Sequence, residues 1–188
     1  MATTPPEQIS DPRVLRAIAH PLRIRILDEL SAGGPLRAAD IATRLGVPAN
    51  QASFHLRSLA KYGLVEEAPE AARDGRDRVW KATSEAGLSI SLDAISEADG
   101  GKAAVAVFRK QWTAAAHEAV ERAEHASRDH AAMVMISDSA LRATKAEARE
   151  FAGELNDLVE KWRTRSRVET DETRTYQILQ ILQPARAI

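Results

Sequence analysis

Gly33-Gly34-Pro35, Gly46 and Gly63 cut the first third of the chain into short apolar-periodic pieces, and this punctuation constrains the fold more than any other feature. Glycine tolerates the left-handed backbone that ends a helix, and proline cannot continue one. Between the breaks, helical periodicity predicts two short helices. One runs from about Arg37 to Leu45, with Ile41 and Leu45 apolar, and the other from about Ala49 to Tyr62, with Ala52, Leu56 and Leu59 on one face. Upstream, Asp11-Pro12 pairs a capping acid with a first-turn proline, and Leu15, Ile18 and Ala19 follow at helical spacing. Pro21 breaks or kinks that helix, and a second runs from about Leu22 to Leu30. Downstream, Leu64–Glu67 and Arg78–Ala82 flank an Asp74-Gly75 turn signal, which predicts a β-hairpin.

Two short helices joined by a glycine turn form the helix-turn-helix pattern, in which the first helix braces the second. The second can then present its leading polar side chains to base edges in a major groove. Here Asn50, Gln51, Ser53 and Phe54 are the candidates for base contact: Asn and Gln can pair bidentately with adenine, and Phe can meet a thymine methyl. His55, Arg57 and Lys61 lie farther along and suit phosphates, as do Arg73, Arg76 and Arg78 on the hairpin. Charge agrees in sign. Residues 13–82 hold 12 Lys/Arg against 8 Asp/Glu, whereas residues 83–188 hold 14 against 17. A basic half joined to an acidic half fits a polyanion partner for the first.

The run Arg16-Ala17-Ile18-Ala19-His20-Pro21-Leu22-Arg23-Ile24-Arg25-Ile26-Leu27 resembles the opening helix pair of ArsR-type winged-helix regulators. Leu45-Gly46-Val47-Pro48 and Ser53–Leu59 resemble their turn and recognition helix, and Tyr62–Glu66 and Arg78–Thr83 resemble their wing. The resemblance covers about residues 11–87. It implies a homodimer that occupies a double-stranded DNA operator as a repressor and leaves it when an effector arrives, with the outer helices making the dimer. Metal-sensing members carry a Cys pair before the helix-turn-helix. Arg37 and Ala39 stand there in this chain, which has no cysteine, so thiolate sensing is absent.

The expected architecture is α+β and mostly helical. A disordered lead over 1–12 precedes a winged helix-turn-helix over 13–88, and a dimerisation and effector domain fills 89–188. In that last part Gly87 to Leu92 is ambiguous between strand and loop. A long helix from Ala103 to about Arg128 follows, roughly 40 Å at ~1.5 Å per residue. Met133–Ile136 and Tyr176–Leu182 read as strands around a helix from about Lys145 to Arg165, which is opened by a Thr144/Glu147 capping box. The tail therefore reads as a small β-α-β unit. Phe108, Trp112, Met133, Met135, Phe151, Trp162 and Tyr176 are expected to line either a pocket for a small hydrophobic effector or an ordinary core.

His117, Glu121, His125 and Asp129 recur every fourth residue on the long helix, with neighbours ~6 Å apart. That spacing suits zinc or nickel and suits equally a solvated face, so a metal-responsive repressor stays open as an alternative. No phosphate-binding loop, dinucleotide fingerprint or nucleophile elbow is present, so neither an enzyme nor a cofactor is expected. The remaining rival is a winged helix used for protein interaction. Lack of cysteine and of any apolar run of ~18 residues predicts a cytoplasmic protein with no membrane partner.

Overall fold

A computed structural model describes residues 7–72, 78–84, 88–126, 133–165, 170 and 173–185. In chain order the elements are β1 (Glu7–Ile9), α1 (Pro12–Ile18), α2 (Pro21–Gly33), β2 (Leu36–Arg37), α3 (Ala38–Leu45), α4 (Ala49–Lys61), β3 (Val65–Glu67), β4 (Val79–Ala82), β5 (Leu88–Ile90), α5 (Leu92–Glu97), α6 (Gly101–Ala126) and α7 (Lys145–Arg165). A single 3₁₀ turn, Pro69–Ala71, follows β3. The frame is mostly helical with a small antiparallel sheet, as the sequence predicts.

Local chemistry sets the helix ends. Asp11 accepts from the Arg13 amide at 2.7 Å and so caps α1, with Pro12 in the first turn. Pro21 opens α2 in the same way, and the His20 ring caps it by accepting from the Leu22 amide at 3.2 Å. The α3 start is held by Asp40, whose carboxylate accepts from the Arg37 amide at 3.2 Å and from its guanidinium at 2.8 Å. Gly46 takes the left-handed conformation, φ 65°, ψ 37°, that lets the chain turn from α3 into α4. Gly63, at φ 69°, ends α4.

β2, β4 and β3 form the antiparallel sheet with β4 in the centre, Trp80 standing opposite Leu36 on one side and Glu67 on the other. The core lies between this sheet and the helices. It collects Leu15, Ile18, Leu22, Ile26, Leu30, Ile41, Leu45, Ala52, Leu56, Leu59, Val65 and Trp80. It also takes in Ile9, Ile95, Ala104 and Val105, from outside the expected 13–88 unit. The first turns of α6 pack on α1, and the Arg16 guanidinium donates to the Gly100 carbonyl at 2.9 Å.

Two expectations are corrected at the ends of the chain. Glu7–Ile9, placed in a disordered lead, forms a strand that pairs in parallel with Leu88–Ile90, Ile9 opposite Ile90. The physical reason is burial: Ile9 is 6% exposed and gains a place in the core by joining the ladder. The same pairing resolves the ambiguous stretch before Leu92 as a strand. In the tail, α7 forms over the expected residues, with Thr144 and Glu147 exchanging amide hydrogen bonds at 2.7 and 3.3 Å. The flanking strands do not form. Residues 133–136 and 176–182 have no regular structure, so the β-α-β unit is reduced to its helix. Alternating apolar residues favour a strand only where a ladder partner satisfies the backbone, and among the described residues neither run has one. The tail instead touches the rest of the chain through isolated polar contacts. Gln177 accepts from Arg122 at 2.7 Å, and the Thr175 hydroxyl donates to Glu29 at 3.2 Å.

Candidate nucleic-acid interface

The candidate interface is built on α4, and its geometry follows from which residues α4 buries. Ala52, Leu56 and Leu59 are 0% exposed, and His55 is 4% exposed. Positions 52, 55, 56 and 59 have the spacing of an inward helical stripe. α3 and α2 pack against this stripe and hold α4 from behind. The opposite face is left outward. Asn50, Gln51, Phe54, Arg57 and Lys61 are exposed, Phe54 by 58%, and Ser53 is half-buried.

The leading end of α4 is open. Pro48 occupies the capping position and has no side-chain acceptor; the Gln51 amide donates to the Pro48 carbonyl at 3.0 Å and to the Asn50 Oδ1 at 2.9 Å. The Asn50 side chain is thus turned partly toward its own backbone, while Gln51 projects without such a tie. Farther along, the Lys61 ammonium lies 5.9 Å from the Tyr62 ring centroid.

β3 and β4 stand next to α4 as the wing. Arg78 pairs with Glu67 across the hairpin at 3.1 Å, both side chains being more than half exposed. Lys81 pairs with Glu66 at 3.4 Å and Glu70 at 3.1 Å, and Glu70 foremost raises the lysine's affinity for its proton. Exposed pairs of this kind are worth about 0–1 kcal/mol, so a phosphate can displace the carboxylate. Arg73 and Arg76, the other wing candidates, lie outside the described residues.

One assignment is corrected. His55 does not face a backbone phosphate, because it belongs to the inward stripe and is buried behind Phe54. Its Nδ1 accepts from Arg23 Nε at 3.3 Å, and its ring centroid lies 4.4 Å from that of His20. The sequence carries the signal for its burial, since 55 completes the i, i+3, i+4, i+7 series begun at Ala52. Nothing in the sequence marks its meeting with His20 and Arg23.

The other candidates are scattered. Phe108 packs at the edge of the core, and Trp112 is half-buried one turn later on α6. Met133 and Tyr176 meet through one contact, the Met133 amide donating to the tyrosine oxygen at 3.4 Å. Met133, Met135, Trp162 and Tyr176 are each more than half exposed, and Phe151 is 37% exposed, so among the described residues these groups enclose no pocket within one chain. His117, Glu121 and His125 are exposed on α6, and the His125 ring nitrogen is 2.7 Å from the Glu121 carbonyl oxygen. No three His, Asp or Glu side chains gather for a metal among the described residues, and Asp129 lies outside them. No helix among the described residues is long and apolar enough to cross a membrane.

Residues 18–68 match a family described as a helix-turn-helix domain. No curated protein matches the chain. Two solved structures of a double mutant of Lactococcus lactis ZitR are similar to it. The first, in apo form, is 18% identical over 77% of this chain and 84% of that one, with a TM-score of 0.34. The second is 17% identical over 79% and 73%, with a TM-score of 0.29. Those scores are too low to bear on the function of this chain. The match over 18–68 spans α2 through β3, the elements whose geometry is described above, and the chain carries a helix-turn-helix domain set in a winged, mostly helical frame.

Proposed function

We propose that this chain is a DNA-binding transcriptional regulator, a homodimeric repressor that sits on a pseudo-palindromic operator and leaves it on binding an effector. The observation that carries the reading is the division of α4. Its inward stripe is fully buried against α2 and α3, and its leading outward face offers Gln51 and Phe54 to base edges with Arg57 and Lys61 placed for phosphates. Two symmetric copies would present two such helices to successive major-groove faces. The resemblance to ArsR-type regulators supports dimer formation through the outer helices and a repressor's action. Ala115, Ala119 and Ala123 of α6 are only half-buried, which is consistent with such a contact. The resemblance supports an effector, and the apolar groups of the tail, which enclose no pocket in one chain, would hold a small hydrophobic one only between two copies.

Titration of labelled duplexes at increasing salt tests the reading. Affinity is expected to fall steeply, because each phosphate contact releases counterions. A protein that binds no duplex even at low salt is an interaction module instead. Two substitutions separate the roles on α4. Gln51→Ala is expected to lower discrimination at one or two base pairs by about 1–3 kcal/mol each, read by competition among operator variants. Arg57→Ala should weaken all duplexes alike and make the salt slope shallower by about 1. Unchanged operator preference in the Gln51 variant would remove α4 as the base-reading helix.

A further inference from the structure

Behind the outward face of α4 lies a cluster that DNA contact does not explain. His20 caps α2, its Nδ1 accepting from the Leu22 amide at 3.2 Å. His55, on α4, accepts through its own Nδ1 from Arg23 Nε at 3.3 Å, while Arg23 also donates to the Ala17 carbonyl of α1 at 2.9 Å. The two imidazoles lie 4.4 Å apart between centroids, at 43°. The His55 ring also meets the ring of Phe54, at 5.2 Å between centroids and 79° between planes. A contact chain therefore runs from the α1–α2 junction through both histidines to an aromatic residue on the face proposed to read DNA.

Both Nδ1 atoms act as acceptors, so both rings are held in the neutral form with the proton on Nε2. A proton on either Nδ1 abolishes the hydrogen bond that the ring accepts. It also sets imidazolium beside guanidinium, and on His20 it puts a positive charge at the N-terminus of α2, where the helix dipole opposes it. His20 reaches solvent and His55 is buried behind it, so a proton has a way in. We propose that His20, His55 and Arg23 form a proton-sensitive latch that seats the recognition helix, so that acidification loosens α4 and weakens DNA binding. His55 acts here as a positioning residue for Phe54 and its neighbours. The inference rests on the DNA-binding reading of α4.

The charges acting on the rings agree in sign. Burial lowers the proton affinity of His55, and the charges of His20 and Arg23 lower it further. On His20, burial and then Arg23 act the same way. Both folded-state values lie below the unfolded value of about 6.5, so the unfolded chain binds more protons. The stabilisation is complete above about pH 6.5 and is lost as pH falls through the folded-state values. Asp28 of α2 titrates nearby with the opposite sense. Although it reaches solvent, the surrounding protein and then Glu29 push its carboxyl up to about 6, against the pull of Arg163 and Arg25. Its protonation favours the folded state, so it cannot imitate the latch.

Two measurements on the full chain test the proposal. Nitrogen-detected imidazole titration by NMR, without DNA, should give His20 and His55 as Nε2–H tautomers protonating below the ordinary histidine range. Affinity for a fluorescein-labelled random-sequence duplex at fixed low salt should fall about fivefold or more between about pH 7.5 and about pH 5.5. Added positive charge alone would tighten binding, so the direction discriminates. His55→Gln, which keeps an acceptor for Arg23 and takes up no proton, should flatten the pH profile. His20→Asn, a neutral capping residue, should flatten it independently if the buried substitution does not fold. Ordinary titration of both rings overturns the latch, and so does affinity that holds or rises on acidification. Binding of no duplex at any pH overturns the DNA-binding reading instead, and the imidazole titration is readable in either case.

Discussion

Leu56→Ala is expected to lower the unfolding free energy by about 2–5 kcal/mol, read as a shift of the urea midpoint at unchanged slope. Leu56 is 0% exposed at the centre of the inward stripe of α4, with Ala52 and Leu59 equally enclosed on either side. Removing its branched end takes away the transfer free energy of the lost atoms and leaves a cavity. α3 closes that space only by moving as a whole, because its own Ile41 and Leu45 are already seated in the core. A loss toward the upper end of the range is therefore expected. Duplex affinity well below the new midpoint temperature should change little, since no outward side chain is altered. A cost under about 1 kcal/mol would mean that α4 is not seated on this core.

Trp80→Ala is expected to cost about 3–5 kcal/mol and to act on the wing first. Trp80 is 5% exposed in β4, the central strand, with Leu36 opposite on β2 and Glu67 opposite on β3. It is the largest side chain joining the hairpin to the body of the domain. Val65, Val79 and Ala68 add smaller buried contacts, whereas Arg78 to Glu67 and Lys81 to Glu66 and Glu70 are exposed ion pairs of small worth. Hydrogen exchange should report the order of events. Amides of β3 and β4 should lose protection at lower denaturant than those of α4. Equal loss throughout would make the hairpin an inseparable part of the helical core.

The parts of this fold that were legible in the sequence are those whose cause is local. Pro12, Pro21, Gly46 and Gly63 act on their own backbone, and the helix limits they imply are the limits observed. The Thr144/Glu147 box fixes the start of α7 for the same reason. What escaped reading depends on partners distant in the chain. Glu7–Ile9 becomes a strand because residues 88–90 lie beside it, and no periodicity in three residues announces that. Conversely, Tyr176–Leu182 alternates well enough for a strand and lacks the neighbour that would make it one. His55 was misplaced by residue type: a titratable ring on a polar-looking helix suggested a surface role, whereas the four-position stripe already enclosed it. The outward face of α4 was readable because it is the complement of that stripe. The latch behind it was not, since it depends on two helices meeting.

The parallel pairing of β1 with β5 also bears on how the chain comes into being and how it can be cut. Residues 7–9 are made before their ladder partner and can pair only after residue 90 has left the ribosome, so this long loop closes after the helices between have been made. Dissection at residue 88 would sever β5, take away the ladder partner of Ile9 and discard Ile95, Ala104 and Val105 from the core. The smallest piece that keeps every packed surface of the helix-turn-helix runs from Glu7 into the first turns of α6, through Phe108.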